Sequence, residues 1–343
     1  MSEFINRVIL FPYFITLKIR HSIYDHNPKK SESFSIPVIS VGNVTAGGTG
    51  KTPMVEEIIR ILQDSKRLAV VSLGYKRKKR GMIFVKEEDS AKDVGDEPLQ
   101  IKRKFPNVTV VVCKNRNKAI HALLEQDPLL RPEEIIMDDA LQYLKVKPSK
   151  SIVLVDYNRP SYSDSLLPFG KLRDLPERVR KADAVVVTKC PEWVDEWEKE
   201  KWRKRLRLKA SNPLIFSKIC YCKMKPVWPE VADNRYIYSK EAAVFTGIAS
   251  DKTLKLHLLG DYKVVATREF GDHHIFDKGD LKSIETMAKA YPLSILVTTE
   301  KDSFRLQDCT DVPIALKVRT FYIPIKVDYL SEDEKAAFEE ILK

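Results

Sequence analysis

The chain has few cysteines, and their spacing excludes the two uses of cysteine that stabilise small domains. The cysteines are odd in number and include no Cys-x-x-Cys pair; they are Cys113, Cys190, Cys220, Cys222 and Cys309. A disulfide framework needs an even set of cysteines, and a structural zinc site needs closely spaced pairs. We therefore predict neither, and we expect a reducing compartment.

The sequence also lacks a convincing membrane-spanning run at its start. Ten of the 14 residues at positions 4–17 are apolar, but Arg7 and Pro12 interrupt them. A helix of this length spans about 21 Å, whereas the hydrocarbon core is about 30 Å thick. No small-residue cleavage site follows, so a signal peptide is not predicted either. Two alternatives stay open: an interfacial helix flanked by the basic residues Lys18 and Arg20, or a helix packed on the domain surface.

Internal repeats and low-complexity tracts are absent from the 343 residues, of which 43% are hydrophobic and 31% are charged. This composition is typical of a globular protein, and the length predicts two domains. The net charge of +11 favours anionic partners: a nucleotide, a nucleic acid or an acidic membrane surface.

A glycine-rich stretch between a predicted strand and a predicted helix has the spacing of a phosphate-binding P-loop. It reads Thr45-Ala46-Gly47-Gly48-Thr49-Gly50-Lys51-Thr52, with a threonine in place of the first glycine. Small residues let backbone N–H groups surround phosphate oxygens, and the helix N-terminus adds positive potential. Lys51 is then expected to contact the β- and γ-phosphates and Thr52 to hold Mg²⁺. The pattern predicts that the chain binds a nucleoside triphosphate.

Two apolar strands that end in carboxylates are candidates for the magnesium site. Residues 134–138 end in Asp138 and Asp139, and residues 151–156 end in Asp156. We favour Asp138 because the doubled acid can serve both a metal ion and a substrate, and Asp156 is the competing candidate. Short apolar strands that alternate with helices predict an α/β fold: a P-loop NTPase-type, mainly parallel sheet covered by helices. Ligands bind beyond the carboxyl ends of such strands.

A second, smaller α/β domain is predicted after Pro226 and Pro229. The predicted limits are an N-terminal helix at 1–30, the P-loop domain at 31–228, the second domain at 229–325 and a C-terminal helix at 326–343. In the second domain Asp272, His273 and His274 follow a predicted strand, but no third ligand at helical spacing supports a zinc site.

Two further stretches near the predicted strand ends each allow two interpretations. The basic run at positions 76–80 is either a solvated loop or a contact for phosphate or anionic lipid. Asp96 and Glu97 follow Gly95 at the start of a predicted helix, where they either cap the helix or present a base to a substrate hydroxyl.

The order of these motifs resembles one family, tetraacyldisaccharide 4′-kinase, the lipid A 4′-kinase of Gram-negative bacteria. The matching residues cover positions 40–302 and are Ser40-Val41-Gly42-Asn43, Gly47-Gly48-Thr49-Gly50-Lys51-Thr52-Pro53, Gly95-Asp96-Glu97-Pro98, Asp138-Asp139, Leu141-Gln142, Phe169-Gly170, Leu172-Arg173, Val187-Thr188-Lys189, Gly247-Ile248-Ala249, Asp272-His273-His274 and Thr298-Thr299-Glu300-Lys301-Asp302.

The resemblance implies an activity and a set of roles. It implies transfer of phosphate from ATP, with Mg²⁺, to the 4′-hydroxyl of an acylated glucosamine disaccharide phosphate, with no part for nucleic acid. Asp96 is implied to accept the hydroxyl proton, with His273 as its partner in a dyad. Lys51, Thr52, Asp138 and Asp139 are implied to hold ATP and Mg²⁺, and a further set is implied to lie near the phosphates, the metal or the substrate: Gln142, Arg173 and Arg116. The N-terminal helix is implied to place the protein peripherally on the cytoplasmic face of the inner membrane.

The chain departs from the usual family pattern at Leu73, Tyr143 and Asp174, where an arginine, a histidine and a glutamate are typical. An alternative function is a membrane-associated P-loop NTPase switch that acts on a protein partner, because residues 186–189 resemble a guanine-reading segment. Against it, Ala46 stands where related switch ATPases carry a lysine, and no switch signature occurs.

Overall fold

The computed structural model describes residues 2–248, 250–272 and 274–343, which form two β-sheets with flanking helices. The strands are β1 (Val38–Asn43), β2 (Leu68–Ser72), β3 (Ile83–Phe84), β4 (Thr109–Val112), β5 (Glu134–Asp138), β6 (Lys150–Asp156), β7 (Ala184–Thr188), β8 (Leu214–Tyr221), β9 (Lys225–Pro226), β10 (Glu241–Thr246), β11 (Lys263–Glu269), β12 (Ile295–Thr299), β13 (Thr320–Ile323) and β14 (Ile325–Tyr329). The α-helices are α1 (Ser2–Asp25), α2 (Lys51–Leu62), α3 (Ala91–Val94), α4 (Asp96–Lys104), α5 (Arg116–Leu124), α6 (Glu196–Leu206), α7 (Lys252–Leu258), α8 (Lys278–Ala290), α9 (Glu300–Gln307), α10 (Ile314–Lys317) and α11 (Glu332–Leu342).

The larger sheet has nine strands in the order β14-β8-β7-β6-β1-β5-β2-β4-β3. Its interior strands are parallel, and only the edge strands β14 and β3 run antiparallel to their neighbours. The interior strands are rich in buried valine and isoleucine, as expected for a sheet covered on both faces. The predicted α/β fold with a mainly parallel sheet is confirmed. The register aligns Val41 of β1 with Asp138 of β5, so the P-loop and the doubled acid begin at the same edge.

The helices bury opposite faces of this sheet because side chains along a strand alternate. Ile39 and Val41 of β1 pack with the apolar side of α2, including Ile58, whereas Val38 packs with α5 around Ile120. The apolar residues of α2 recur at the three- and four-residue spacing of a helix that buries one face.

The smaller sheet has the order β11-β10-β12-β13-β9, and it is parallel except for the short strand β9. Its core contains Phe245, Leu296 and Phe321, which are almost fully buried. After β13 the chain returns to the larger sheet, because β14 pairs with β8 and α11 packs on the core that also contains α2. The domain boundaries predicted at residues 30, 228 and 325 stay predictions.

Ion pairs join the two parts of the molecule between α4 and α9. Lys104 lies 3.0 Å from Glu300, and Arg103 lies 3.1 Å from Asp308. Both pairs are largely shielded from solvent, which strengthens them relative to surface pairs. This interface places the start of α4 against the second sheet.

Helix α1 is longer than the apolar run that predicted it, because polar residues of its second half contact the domain. His21 Nε2 lies 2.9 Å from Asp174 Oδ1, and Arg20 donates to the carbonyl of Gln142 at 2.7 Å. The helix nevertheless exposes apolar side chains, including Phe11 at 60% and Ile19 at 55%. Among the described residues, no helix combines the length and the hydropathy needed to cross a bilayer.

We predict that Phe338→Ala lowers the free energy of unfolding by about 3–5 kcal/mol, because it leaves a cavity in the core beneath α11. Phe338 is fully buried, and its ring centroid lies 5.6 Å from that of Tyr329. Urea unfolding measures the effect. Lys335→Ala, on the exposed face of the same helix, is the control and should change stability by less than about 0.5 kcal/mol. A cost below about 1 kcal/mol for Phe338→Ala would contradict the docking of α11 on this core.

Candidate active site of a nucleotide-dependent phosphotransferase

The loop between β1 and α2 has the backbone geometry of a phosphate cradle. Gly47 and Gly50 have φ angles of +107° and +84°, a region that side chains with a Cβ rarely enter. A Cβ added at Gly47 or Gly48 would meet no atom within 4 Å, so this stretch of backbone faces open space. Helix α2 begins at Lys51 directly after the loop, and its N-terminal N–H groups add positive potential.

Neighbouring strands hold the loop in place from both sides. Asn43, at the end of β1, donates from Nδ2 to Thr49 Oγ1 at 2.6 Å. Thr188, at the end of β7, donates from Oγ1 to the carbonyl of Thr49 at 2.9 Å. The conformation of the loop therefore depends on two strands of the central sheet as well as on its own glycines.

Lys189 is a functional residue to which the sequence analysis gave no role. Its ammonium group donates to the carbonyl of Gly48 and lies 2.6 Å from Asp156 Oδ2. Asp156, the competing candidate for the magnesium site, is therefore paired with a lysine that supports the P-loop. The only sequence signal was the Thr188-Lys189 pair, which helped to carry the resemblance but indicated no contact.

Asp138 is buried at the end of β5 with an unusual electrostatic environment. Ser72 donates from Oγ to its Oδ2 at 3.1 Å, but its Oδ1 finds no hydrogen-bond partner among the described residues. Burial, followed by the charge of Asp139, raises the pKa of Asp138 to about 6. A bound cation would pair with this oxygen and lower the pKa of Asp138, since carboxylate oxygen is a preferred ligand of Mg²⁺.

Asp139 follows in the left-handed region, with φ +49°, and points its carboxylate toward cations. Arg173 binds both oxygens, with Nη1 2.9 Å from Oδ2, and Lys51 Nζ lies 3.9 Å from Oδ1. Burial alone would raise the pKa of Asp139, but Arg173 and Lys51 outweigh it and lower that pKa. Burial in turn lowers the pKa of Lys51, against the attraction of Asp139.

Arg116, a predicted phosphate or substrate contact, lies directly behind the two acids. Its guanidinium donates to the carbonyl oxygens of Asp138 at 3.0 Å and Asp139 at 2.8 Å, and the residue is only 4% exposed. Tyr143, one of the departures from the family pattern, places its ring 5.2 Å from this guanidinium and accepts a hydrogen bond from the Arg116 N–H. Tyr143 therefore supports Arg116 rather than the loop.

Gln142 and Asp174 link the site to α1. Gln142 donates from Nε2 to the carbonyl of Asn43 at 2.9 Å and to Asp174 Oδ2 at 3.3 Å. Asp174 is buried and pairs with His21 of α1, so the shorter acid at this position serves the attachment of the N-terminal helix. Burial would raise the pKa of Asp174, but the hydrogen bond from His21 leads the contributions that lower it.

Asp96 is the first residue of α4 and lies at the junction of the two sheets. Arg305 of α9 donates from Nε to Asp96 Oδ2 at 3.1 Å and also from Nη2 to the same oxygen. Next to this pair, Glu97 Oε1 lies 2.6 Å from Lys301 Nζ. Glu97 is among the charges that raise the pKa of Asp138, and Lys301 is among those that lower the pKa of Lys51. The Glu97–Lys301 pair beside Asp96 therefore interacts electrostatically with Asp138 and Lys51.

The predicted dyad partner of Asp96, His273, lies outside the described residues, and the dyad stays a prediction. His274 places its Nε2 2.7 Å from Asp280 and stacks on Phe270. In the described part of the chain no group of three or more His, Cys, Asp or Glu side chains could hold a metal ion. The absence of a zinc site stays a prediction, and Mg²⁺ in nucleotide sites needs only one or two carboxylates beside the phosphates.

The basic run at positions 76–80 lies beside the turn that leads into Asp96. A Cβ added at Gly95 would lie 3.1 Å from Gly74 Cα, and the Lys78 N–H donates to the carbonyl of Lys92 at 2.8 Å. Lys79 lies 3.0 Å from Asp93, and most of the run is exposed. The loop is held against α3, while most of its basic side chains stay in contact with solvent. Its contact with phosphate or lipid stays a prediction.

These features define a class of protein. A P-loop at the end of the central strand, a doubled acid on the next strand and a surplus of cations around both are typical of P-loop enzymes that transfer or hydrolyse phosphoryl groups.

The comparisons with known proteins identify the family within this class. The family model for tetraacyldisaccharide-1-P 4′-kinase matches residues 5–343. A tetraacyldisaccharide 4′-kinase of Parabacteroides distasonis is 36% identical over 339 residues, which cover 97% of this chain and 92% of the relative. One of Porphyromonas gingivalis is 37% identical over 336 residues, which cover 96% and 94%. The crystal structure of LpxK from Aquifex aeolicus in complex with ATP matches with a TM-score of 0.73 at 28% identity, covering 98% of this chain and 99% of that chain.

The chain belongs to the tetraacyldisaccharide-1-phosphate 4′-kinase family and is a kinase. The family resemblance inferred from the sequence motifs is confirmed. The alternative of an NTPase switch that acts on a protein partner has no support, because relatives that cover almost the whole chain are named as kinases.

The raised pKa of Asp138 predicts a pH-dependent effect of Asp138→Asn on stability. In the folded state Asp138 stays protonated up to about pH 6. The stability that this bound proton gives is therefore lost as the pH rises through that value. The neutral asparagine does not titrate. Without divalent cations, the free energy of unfolding of the variant relative to wild type should therefore rise by about 2 kcal/mol between pH 4.5 and pH 8.

Urea unfolding at several pH values measures this difference. Asp93→Asn is the control, because Asp93 is only partly buried and pairs with Lys79, which lowers its pKa. Its relative stability should not rise over the same range. A flat or falling difference for Asp138→Asn would mean that the folded state does not favour the protonated acid.

Proposed function

We propose that the chain transfers the γ-phosphoryl group of ATP to the 4′-hydroxyl of a tetraacyl glucosamine disaccharide 1-phosphate, a step of lipid A biosynthesis. The observation that carries the proposal is a family match over nearly the whole chain, on a fold whose P-loop and doubled acid lie at one sheet edge. The similar structure from Aquifex aeolicus is described as a complex with ATP, which supports ATP as the donor.

The cations of the site are arranged to bind the phosphates and stabilise charge on them. Lys51 and the backbone N–H groups of the P-loop would surround the β- and γ-phosphates. Arg173 and Gln142 both contact Asn43, which in turn contacts the loop, and these contacts support the proposal that they act near the phosphates. Fixed charges of this kind stabilise a loose phosphoryl-transfer transition state without moving.

The residues also fit a magnesium ion. The buried Oδ1 of Asp138, which has no hydrogen-bond partner among the residues that the structure describes, is the kind of oxygen that a hard cation satisfies. Asp139 and the Thr52 hydroxyl complete the proposed set. When bound, Mg²⁺ neutralises part of the phosphate charge. Lys51 and Arg173 hold Asp139 in place, which keeps its carboxylate ionised.

Asp96 is the residue that we propose to accept the proton of the attacking hydroxyl. It lies at the N-terminus of α4, where the helix dipole favours a carboxylate, and next to the Glu97–Lys301 pair that interacts with the P-loop charges. His273 is proposed as its partner. Because phosphoryl transfer needs alignment more than covalent chemistry, Asp96 has to orient the hydroxyl as well as receive its proton.

Helix α1 is proposed to hold the protein on the cytoplasmic face of the inner membrane, where a lipid acceptor would be found. Its exposed apolar side chains include Phe11, Ile19 and Ile23, and Lys18 and Arg20 lie among them. Apolar side chains insert into the headgroup region, and basic residues are attracted to anionic lipids. The net charge of +11 acts in the same direction.

A kinase assay with ATP, Mg²⁺ and the monophosphorylated tetraacyl disaccharide tests the function. Mass spectrometry should find one added phosphate on the glycolipid. We expect Asp96→Asn to lower kcat by about 10²–10⁴-fold with little change in the KM for ATP, because only proton acceptance is lost. Asp93→Asn, on the preceding helix, should retain activity. Release of inorganic phosphate without a phosphorylated lipid would contradict the proposed function, and a fully active Asp96→Asn would contradict the role of Asp96.

Sedimentation with vesicles that contain anionic lipid tests the membrane proposal. Replacing both Phe11 and Ile19 of α1 by serine should weaken binding by about tenfold or more, because apolar area is lost from the interface. The matched control replaces Leu129 and Leu130, which are 82% and 67% exposed on a loop outside α1. Equal losses for both double variants, or none, would show that α1 is not the membrane contact.

A further inference from the structure

Arg305 is a buried cation that the sequence analysis did not single out, and it joins three segments of the chain. It lies in α9 and is only 4% exposed. Its Nη1 donates to the carbonyl of Gly247 at 2.9 Å and to Asp302 Oδ1 at 2.8 Å, while Nε and Nη2 both face Asp96 Oδ2. A guanidinium is planar and rigid, so these contacts fix its orientation as well as its position.

The partners of Arg305 on the second sheet are themselves fixed. Asp302 is fully buried, and its Oδ2 accepts from the Gly247 N–H at 2.8 Å and from Thr299 Oγ1 at 2.7 Å. Gly247 directly follows strand β10, and Thr299 ends strand β12. Arg305 is therefore built into the edge of the second sheet and reaches from there to a carboxylate of the first part of the molecule.

The contact between Arg305 and Asp96 is not needed to dock α9 on α4, because other ion pairs already join the two helices. Lys104–Glu300 and Arg103–Asp308 already join the two helices at 3.0 Å and 3.1 Å, and neither pair involves Asp96. Arg305 differs from them because it donates two N–H groups to one carboxylate oxygen of Asp96, which fixes the position of that oxygen. A buried cation at this distance also favours the ionised form of a carboxyl group.

We propose that Arg305 is a positioning residue for phosphoryl transfer: it orients the Asp96 carboxylate and keeps it ionised, ready to receive the proton of the acceptor hydroxyl. The inference rests on the proposed function of Asp96. It also makes the second sheet a participant in the reaction, because the orientation of the proton acceptor depends on a side chain that this sheet holds. The proton passes from the hydroxyl to Asp96, and Arg305 neither gains nor loses one.

The test compares three variants through the pH dependence of kcat at saturating ATP and glycolipid. Arg305→Met keeps the length and apolar volume but removes the charge. We expect a 10- to 100-fold lower kcat at pH 7. The acid limb, the part of the kcat–pH curve where activity falls as Asp96 is protonated, should move to higher pH by about one unit, because Asp96 is then protonated more easily. Arg305→Lys keeps the charge but loses the fork, so its acid limb should stay near the wild-type position while kcat falls at least fivefold. The KM for ATP should change little in both.

Arg103→Met is the matched control, because it breaks an ion pair of the same α4–α9 interface without touching Asp96. Its acid limb should coincide with that of wild type, and its kcat should stay within about threefold. Circular dichroism and thermal unfolding establish that each variant is folded. If Arg305→Met does not fold, Arg305→Lys decides, and a wild-type kcat for that variant would overturn the inference.

The outcomes separate this inference from the proposed function. A wild-type protein that fails to phosphorylate the glycolipid would refute the function, and the inference with it. If wild type is active, Asp96→Asn is inactive and Arg305→Met behaves like Arg103→Met, then only the role of Arg305 is refuted. A shifted acid limb in Arg305→Met alone, restored by lysine, would establish the positioning role, since loss of docking does not move a pH profile.

Discussion

The site is organised by two neighbouring acids at the end of a central strand, which are paired unequally with the cations around them. The two acids Asp138 and Asp139 are surrounded by Lys51, Arg116 and Arg173, all of them largely withdrawn from solvent. Asp139 is matched by cations, whereas one buried oxygen of Asp138 finds no hydrogen-bond partner in the described part of the chain, and the pKa of Asp138 is raised to about 6. Burial of these charges costs free energy in the free protein, and the proposed entry of anionic phosphates together with a cation would offset that cost. The rest of the larger sheet fixes these five side chains around one cradle.

The second sheet contributes through a small number of charged contacts. Helix α9 and the residue that follows it face α4 through ion pairs, which are Arg305–Asp96, Lys301–Glu97, Glu300–Lys104 and Asp308–Arg103. In the proposed reaction the phosphate donor binds on the P-loop sheet, and Asp96, the proposed proton acceptor, lies where the two sheets meet. Charged interfaces of this type specify orientation more than they add stability. Phosphoryl transfer depends on alignment, so an interface that fixes one carboxylate suits the chemistry.

The sequence predicted those parts of the protein that depend on local pattern. The glycine spacing before Lys51 and the apolar strand before Asp138 indicated the cradle and the doubled acid, and strand periodicity indicated the parallel sheet. Contacts between distant segments were not predictable: Lys189 supports the P-loop from another strand, and Arg305 meets Asp96 across 209 positions. The contacts of the second half of α1 were not predictable for the same reason, because its polar residues are fixed by partners on the domain and not by apolar spacing.

The central claim is that an alcohol of the glycolipid attacks the γ-phosphoryl group of ATP directly, within one site. The stereochemistry at phosphorus tests this claim most directly. ATP made chiral at the γ-phosphorus with oxygen isotopes and sulfur is used as the donor, and the configuration of the transferred group is read from the phosphorylated lipid. The account predicts inversion, because a single in-line transfer inverts the phosphorus centre. Retention would contradict it, since two successive transfers through a phosphorylated enzyme would then be required.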